Sequence, residues 1–232
     1  MIKIENVEIV GWESAIRGMR NPMNSWNKSD SCMCIGKYNQ QCYNVEACHY
    51  AEYTDISGFC IGKNDLDLMK RLAKAGTDHR KFMRMIVVYV DVTAPLYWWK
   101  EFDTYKVGTV RNSCSTMHKI TEKEFTLDDF SHEHLLTSDI TEKGTSLGLM
   151  KDIIDVLNTY RNEYLKSKDK TYWWQLIQLL PASYNQRATL MLNYEVLANI
   201  YHSRRNHKLD CWVDFCKWIE TLPYAKELIC ND

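Results

Sequence analysis

Small polar side chains gather in the segment 94–118, directly after a stretch rich in valine. They are Thr109, Asn112, Ser113, Ser115 and Thr116. Short hydroxyl and amide side chains let a ligand approach the backbone closely, and they supply hydrogen-bond donors to it. The cluster therefore indicates a site for a phosphate or a nucleotide. A polar loop at the end of a helix would have the same composition and is the alternative.

Four histidines and one basic run are further candidates for chemistry. The histidines are His79, His118, His202 and His207. Neutral imidazole suits proton transfer near pH 7, and His118 is the one that lies inside the polar segment. The basic run, residues 202–208, contains Arg204. It is either a solvated helix end, where cations favour the helix dipole, or a clamp for a phosphate.

Nine cysteines are many for a chain of 232 residues, and five of them crowd one stretch beside His49. The five are Cys32, Cys34, Cys42, Cys48 and Cys60. The stretch contains a C-x-C but no C-x-x-C, so its spacing disfavours a zinc site, and the irregular intervals disfavour a disulfide framework. We therefore expect reduced, structural thiols and no metal, with zinc binding and redox function as the alternatives.

The order of residues from Ala94 to His118 resembles the signature region of the flavin-dependent thymidylate synthases. In that family an Ala-Pro strand exit leads into a helix with Arg-Gln. Then follow Arg-His-Arg, two residues, Ser, one residue, Asn, two residues, Ser, one residue and Arg-Tyr. With one extra residue near Val110-Arg111, the matching positions here are Ala94-Pro95, Lys100-Glu101, Thr104-Tyr105-Lys106, Thr109, Asn112, Ser115 and Met117-His118.

The resemblance extends over more than half of the chain. Upstream, the segment from Gly76 to His79 is similar to the family's Gly-His segment before its strand. Downstream, Leu180-Pro181, Asn193 and Arg204 keep the family's spacing of Leu-Pro, an Asn-x-Arg site and a Leu-Arg. Two arginines of that pattern are replaced, because Glu195 stands in the Asn-x-Arg site and Ile177 stands three residues before Leu180.

The resemblance implies an α+β fold, with a helical body and a small mixed or antiparallel sheet, in a homotetramer whose sites lie between subunits. It also implies FAD as cofactor and dUMP and a folate as substrates, with no protein nucleophile. The positions that it assigns to the cofactor are Lys106, Asn112, Asn193 and His79. Those that it assigns to the substrate, together with neighbouring candidate partners, are Ser115, Arg204, Glu101, Arg111 and His118.

Much of the family's positive charge is missing from this chain. Arginine forks grip the flavin pyrophosphate and the substrate phosphate in that family, and here Thr104, Lys106, Met117 and Glu195 take four of those positions. Lysine supplies a point charge, threonine and methionine supply none, and glutamate repels a phosphate. The substitutions count against retention of FAD. Nearby replacements for the lost charge are Arg80, Lys81, Arg84, Arg111, Arg187 and Arg205.

These observations leave three hypotheses about function. The first is a nucleotide-binding protein that has lost the flavin and binds a nucleotide or a nucleotide-derived metabolite without thymidylate synthesis. A phage protein that sequesters a signalling nucleotide is one example. The second is an active flavin-dependent thymidylate synthase, or a related nucleotide-modifying enzyme, that uses FAD, dUMP and methylenetetrahydrofolate. The third is a scaffolding protein, which the polar cluster disfavours.

Composition excludes several other classes. The chain has 45% hydrophobic residues and a formal net charge of −1, so it predicts a soluble globule without the basic patch that duplex nucleic acid requires. No run approaches the ~20 apolar residues of a membrane span, and residues 1–10 lack a signal-peptide pattern. We expect a cytoplasmic protein with a single domain over residues 1–232.

Periodicity predicts the elements that position these residues. Strands are expected at Lys3–Val10 and Met85–Val92. Helices are expected at Trp12–Met19, Leu66–Ala75 after an Asn64-Asp65 cap, through Trp98-Trp99, Leu147–Lys166, Tyr172–Leu180, Arg187–Tyr201 and Cys211–Glu220. The polar loop 21–31 contains Trp26, which either docks on the body or covers a ligand. Trp98-Trp99 and the run 172–174 are expected to pack in the core or an interface, with base or flavin stacking as the alternative.

Overall fold

A computed structural model describes residues 2–33, 59–138 and 144–230 of the chain. The strands in these ranges are β1 (Lys3–Val10), β2 (Cys32–Met33), β3 (Phe59–Cys60), β4 (Val87–Pro95), β5 (Val110–Ser113) and β6 (Asn185–Asn193). The α-helices are α1 (Trp12–Arg20), α2 (Lys63–Lys74), α3 (Leu96–Phe102), α4 (Thr116–Lys119), α5 (Ser146–Ser167), α6 (Lys170–Leu179), α7 (Tyr194–Arg204), α8 (Asp210–Glu220) and α9 (Ala225–Leu228). The predicted α+β class is confirmed.

Four strands form a small antiparallel sheet in the order β1-β4-β6-β5, and β2 pairs with β3 in a separate two-stranded sheet. On β4 the side chains of Val88, Val90, Val92 and Ala94 are buried, and the intervening ones are more exposed. This alternation is the signature of a strand with one buried face. The sequence showed it only as a valine-rich run.

The prediction of one helix over Arg187–Tyr201 is wrong. The chain is a strand up to Asn193, and α7 begins at the next residue. Residues Ala188, Leu190 and Leu192 are buried at a spacing of two, which a strand requires, whereas the apolar residues that follow continue at helical spacing. Because the strand leads directly into the helix, the two periods merge in the sequence.

The N-cap predicted for α2 is also wrong. Gly62 is the N-cap residue, and Asn64 and Asp65 lie inside the first turn. The cap is supplied from a distance, because the Asp30 carboxylate accepts hydrogen bonds from the backbone N–H groups of Asn64 and Asp65 at 2.9 and 3.1 Å. The Asp65 side chain is thereby left for the core, where it is fully buried.

The chain divides into two compact units whose boundaries fall within β1, β4, β5 and β6 or close to them. The first contains the described residues of Met1–Lys3, Val92–Thr104 and Asn112–Ala188. The second contains those of Ile4–Asp91, Tyr105–Arg111 and Thr189–Asp232. A single domain over 1–232 stays a prediction.

The first unit has a core built on α5 and α6. Its buried cluster consists of Ile120, Phe125, Phe130, Met150, Ile154, Leu157 and Leu176. The three α5 members recur at a helical spacing of three or four, which places them on one face. Trp98 and Trp99 of α3 are also buried in this unit, as expected for core aromatics, whereas Trp174 keeps 45% of its surface exposed.

The second unit packs α1, α2, α7, α8 and the 3-10 helix Arg80–Met85 around large aromatic side chains. Trp12 lies edge-on to Tyr194 and Tyr224, with ring centroids 5.2 and 5.5 Å apart. Trp212 and Phe215 of α8 are fully buried. This packing fixes both ends of α7, the helix that carries Glu195 and Arg204.

Three of the clustered cysteines, Cys34, Cys42 and Cys48, lie with His49 outside the described residues. In the part of the chain that the structure describes, no group of three or more His, Cys, Asp or Glu side chains is arranged to hold a metal ion. Within the same ranges, no helix is both long enough and apolar enough to cross a membrane.

Candidate functional site

Ser115 lies at a tight turn of the first unit, where β5 passes into α4. Its hydroxyl accepts a hydrogen bond from the backbone N–H of His118 at 3.3 Å and lies 2.7 Å from Nδ1 of the same histidine. The turn is held to β6, because Cys114 N–H donates to the Arg187 carbonyl and the Gln186 amide donates to the Cys114 carbonyl, both at 2.9 Å. The polar segment is therefore a strand and a capped turn, and not the end of a helix.

This turn forms one wall of a cleft of about 350 Å³, which we call the Ser115 cleft. The opposite walls come from the start of β6 and from the 3-10 helix Leu127–Asp129. Polar side chains on its walls include Thr93, Cys114, Ser115, Thr116, Tyr184, Asn185 and Gln186. Its volume lies within the range of small-molecule sites. Of the residues that the resemblance assigns to cofactor or substrate, Ser115 lines it, together with Thr116 of the polar cluster and Arg187 of the candidate replacement cations.

The Ser115 cleft carries a small excess of positive charge. Three cationic side chains line it, Lys119, Lys123 and Arg187, against the carboxylates of Asp128 and Asp129. Lys123 forms an ion pair with Asp129, and Lys119 pairs with Glu122 outside the cleft. Because these lysines are mostly exposed, such pairs are weak and can be exchanged for a ligand phosphate.

Tyr184 and Asn185 offer hydrogen bonds on the β6 side of the cleft. Burial raises the pKa of the Tyr184 phenol, and the negative charge of Asp129 adds to the rise, so this hydroxyl stays protonated at neutral pH. The Asn185 side-chain oxygen accepts a hydrogen bond from the Ser131 hydroxyl at 3.0 Å, which leaves the Asn185 NH₂ group as a donor.

The pair of Ser115 and His118 has the geometry of a nucleophile and a base, but it lacks the third member of a catalytic triad. Both side chains are exposed, and within the described residues no carboxylate is hydrogen-bonded to the His118 ring. A base that nothing orients is poorly placed to activate a hydroxyl. Ser115 and His118 can form hydrogen bonds with a ligand, but their geometry does not support covalent catalysis by Ser115.

In the second unit, Asn193 connects α7 to the loop that carries Lys106. Its side-chain oxygen caps α7 by accepting from Val196 N–H at 3.0 Å, and its NH₂ group donates to the Gly108 carbonyl at 3.4 Å. Lys106 is exposed on this loop. Both residues were predicted to contact the cofactor, and the structure shows Asn193 engaged as a cap.

Arg204 is held by an aromatic cage in the second unit. Its guanidinium carbon lies 4.8 Å from the centre of the Trp212 ring, its Nε donates to the Tyr105 hydroxyl at 3.0 Å, and Nη1 lies 2.9 Å from a ring nitrogen of His207. This packing fixes the orientation of the side chain. It also explains the aromatic at position 105, where the resembled family has a histidine.

Glu195 stands where the resembled family has an arginine, and its carboxylate is committed to two neighbouring arginines. Arg84 forms an ion pair with one oxygen and donates a second bond to the other at 3.2 Å, and Arg80 lies 3.4 Å away. Arg80 also donates to Asn199 at 3.0 Å. The hydrogen bond and charge of Glu195 raise the pKa of Arg84. Arg80 and Arg84, two of the candidate replacements for the lost charge, therefore face a buried carboxylate.

The remaining predicted residues lie on separate elements. In the first unit, Glu101 is half-buried on α3 and Asn112 is exposed on β5. In the second unit, Arg111 is half-buried on β5, and His79 is exposed where the 3-10 helix Arg80–Met85 begins. Their roles stay predictions. Asn185 and Gln186 are among the cleft side chains that sequence reasoning missed, because the strand that they begin was taken for a helix starting at Arg187.

The residues present do not fit a flavin pyrophosphate in the way that the resembled family holds it. In the second unit a buried carboxylate, Glu195, stands where a guanidinium fork is expected, and it holds Arg80 and Arg84 in ion pairs. In the first unit Ile177, another arginine position of the family, packs against the hydrophobic core.

Comparison with solved structures shows that the chain has the fold of the flavin-dependent thymidylate synthases. It is similar to flavin dependent thymidylate synthase ThyX from Helicobacter pylori, solved in complex with FAD and dUMP. The TM-score is 0.62 at 15% identity, over 97% of this chain and 98% of that chain. It is also similar to the UMP/dUMP methylase PolB from Streptomyces cacaoi, bound with 5-Br UMP. That TM-score is 0.58 at 14% identity, over 97% of this chain and 89% of that chain.

No protein-family model and no curated protein matches the sequence. The similarity therefore rests on the three-dimensional structure, and at such low sequence identity it establishes the fold alone. The resemblance inferred from residues 94–118 is confirmed at that level.

Proposed function

We propose that this protein binds a nucleoside monophosphate of the uridine type, or a metabolite derived from one, in the Ser115 cleft, and that it does not perform flavin-dependent methylation. The observation that supports nucleotide binding is that the cleft includes a residue of the signature region that the sequence shares with the resembled family. Ser115, which matches a substrate position of the resembled family, lines a polar cleft with an excess of positive charge. Structures of the same fold have been solved with dUMP and 5-Br UMP.

The chemistry of the cleft suits such a ligand. A phosphate can accept hydrogen bonds from the Ser115 hydroxyl and from Lys119, whose charge is poorly screened once a ligand covers it. A uracil ring has carbonyl oxygens and an N–H group, which the Asn185 amide and the Tyr184 hydroxyl can recognise. The proposed binding involves no covalent bond between the protein and the nucleotide.

The proposal against methylation rests on Glu195. A flavin would bring a pyrophosphate of two negative charges, and the guanidinium groups of Arg80 and Arg84, which could pair with it, are already bound to the buried carboxylate. The second candidate function, an active synthase with FAD, dUMP and methylenetetrahydrofolate, would require other cations to compensate. Stoichiometric flavin in the purified protein would favour that candidate.

Cys114 provides a direct test of the site. Its exposed thiol lines the cleft, so a bound nucleotide is expected to slow its alkylation by iodoacetamide. Peptide mapping after labelling with and without UMP or dUMP measures this protection. Equal labelling of Cys114 at saturating nucleotide would contradict the assignment of the cleft.

A matched pair of variants tests the hydroxyl. Ser115→Ala removes a hydrogen bond to a charged ligand and is expected to weaken UMP binding by about 1.5–3 kcal/mol, roughly ten- to a hundredfold. Ser113→Ala, on β5 outside the cleft, is the control and is expected to bind as wild type does. Equal affinity of both variants in calorimetry would remove Ser115 from the site.

Arg204 is the arginine that the resemblance carries over to the substrate phosphate. It does not line the Ser115 cleft of its own chain, so we propose that it reaches the phosphate from a neighbouring subunit. Arg204→Lys keeps the charge and loses the planar fork, so it is expected to weaken nucleotide binding about tenfold or more. We further propose a homotetramer, as in the resembled family. Light scattering that returned the monomer mass of 27.4 kDa would contradict that assembly.

A further inference from the structure

A second cleft lies in the second unit, where α1 meets the polar loop 21–31. It measures about 370 Å³, and we call it the Trp26 cleft. Its lining includes Glu13, Ile16, Arg17, Arg20, Trp26 and Phe59. The proposed nucleotide function uses none of them.

Helix α1 supplies one wall of the Trp26 cleft. Glu13, Ile16, Arg17 and Arg20 recur at intervals of three and four residues, so they share one face of the helix. Ile16 and Arg20 are buried, whereas Glu13 and Arg17 are exposed. The helix thus presents an apolar floor with charged groups around it.

Aromatic side chains supply the other walls. Trp26 keeps 51% of its surface exposed, and its indole N–H donates to the Asn21 side chain at 2.8 Å, which fixes the ring. Phe59, at the start of β3, is half-buried. An exposed and fixed indole face next to a cleft is a platform on which a planar ring can stack.

Arg20 is the polar group built into this site. Its side chain is 4% exposed, and its Nε donates to the buried Asp65 carboxylate at 2.6 Å. Its Nη1 lies 3.3 Å from the Ser25 carbonyl oxygen. No residue in the described ranges accepts a hydrogen bond from Nη2. The guanidinium is therefore held in place at two nitrogens and has donors left at the third.

The Asp65 carboxylate is held in place by its hydrogen bonds and cannot turn into the cleft. Besides Arg20 it accepts hydrogen bonds from the hydroxyls of Ser29 and Ser31 at 2.7 and 2.6 Å, and from the backbone N–H groups of Asp30 and Ser31. Burial acts to raise the pKa of Asp65, but these bonds and the charge of Arg20 outweigh it and lower the pKa. The carboxylate stays ionised and fully occupied.

The charges around the Trp26 cleft select the type of ligand. The cations Arg17 and Arg20 are balanced by Glu13 and Asp65, so the formal sum is zero. A dianionic phosphate gains little there. A carboxylate carries one charge, and its planar pair of oxygens matches one edge of a guanidinium.

From this geometry we propose that the Trp26 cleft binds an aromatic carboxylate. The ring stacks on Trp26 between Ile16 and Phe59, and the carboxylate accepts hydrogen bonds from Nη2 of Arg20 and from Arg17 at the rim. A donor substituent on the ring, such as a hydroxyl, can reach Glu13. This site is separate from the Ser115 cleft, which belongs to the other unit.

Benzoate is a suitable probe, and ligand-observed NMR titration measures its dissociation constant. Benzyl alcohol, which has the ring without the charge, is expected to bind at least about tenfold more weakly, and phenyl phosphate is expected to bind more weakly than benzoate. Benzoate that binds no better than benzyl alcohol would overturn the proposal. Phenyl phosphate that binds best would overturn the choice of a carboxylate.

Variants assign the contacts. Trp26→Ala and Arg20→Gln are each expected to weaken benzoate binding at least about tenfold. Arg17→Gln, at an exposed position, is expected to weaken it severalfold, and it tests the charge should Arg20→Gln fail to fold. Trp174→Ala and Arg71→Gln, exposed residues outside the cleft, are the controls and should bind benzoate as wild type does. Unchanged binding in both Trp26→Ala and Arg17→Gln would refute the site.

Competition separates this proposal from the nucleotide function. UMP at saturation is expected to leave benzoate binding unchanged, and benzoate is expected to leave the alkylation of Cys114 unchanged. Displacement of benzoate by UMP would show a shared site and would refute the inference. Benzoate binding in a protein that does not bind UMP would refute the nucleotide function alone.

Discussion

Removal of the negative charge at Asp65 is expected to destabilise the protein strongly. Asp65→Asn keeps the shape of the side chain, but it leaves the Arg20 guanidinium buried without a counter-charge, at 4% exposure. It also turns an NH₂ group toward the hydroxyls and N–H groups that now donate to the carboxylate. Breaking a buried ion pair from one side costs about 3–5 kcal/mol.

Differential scanning calorimetry measures this cost. In a chain of this size 1 kcal/mol lowers Tm by about 2–4 °C, so we expect a fall of ~6–20 °C. The control is Asp67→Asn, at an exposed position on the same helix, which should change the free energy of unfolding by less than ~0.5 kcal/mol. A Tm for Asp65→Asn equal to that of Asp67→Asn would refute the reasoning.

The pKa of Asp65 determines how this stability depends on pH. Because the folded pKa of Asp65 lies below its unfolded value of about 3.8, its stabilising contribution is complete above that pH and is lost as pH falls through the folded pKa. The stability difference between wild type and Asp65→Asn should therefore be constant near neutrality and shrink in acid. A difference that grew as pH fell below 4 would contradict the assignment.

Two further variants and one labelling experiment have defined outcomes. Glu195→Gln releases the Arg80 and Arg84 guanidinium groups from a carboxylate, so ADP, which carries a diphosphate, is expected to bind at least about tenfold more tightly in calorimetry. Unchanged affinity would show that Glu195 does not withhold these arginines from an anion. Burial raises the pKa of Cys216 to about 12, so at pH 8 its thiol should be alkylated far more slowly than Cys114 until the protein is unfolded, as peptide mapping can show. Gly108 has φ of +77°, and a Cβ there would lie 2.7 Å from the Asn193 side-chain nitrogen. Gly76 has φ of +95°, but no atom lies within 4 Å of a Cβ at that position. Gly108→Ala should therefore lower Tm more than Gly76→Ala.

The regular helices of this fold were predictable from sequence. The predictions for α1, α5, α6 and α8 agree with the structure to within two residues at each end. In α1, α5 and α8 a stripe of buried residues repeats every three or four positions, and in α6 partly buried residues flank Leu176 at the same spacing, so the period is clear. The opening strand, β1, was also predicted with its observed bounds.

The elements that place the site were harder to predict, for a physical reason. Asn185 and Gln186 begin a strand that leads into α7 with no loop between them, and the N-cap Asn193 is the local signal that marks the junction. The Asp30 cap of α2 comes from 34 residues upstream, and local capping rules cannot detect it. Tertiary context supplied both features.

Calorimetric titration of the purified protein with dUMP and with FAD, side by side, tests most directly whether this protein binds a uridine-type nucleotide without a flavin. We expect saturable binding of dUMP or UMP, much weaker binding of FAD, and no flavin absorbance between about 350 and 480 nm in the purified protein. A yellow protein with one FAD per chain, or a protein that binds neither nucleotide, would contradict the account.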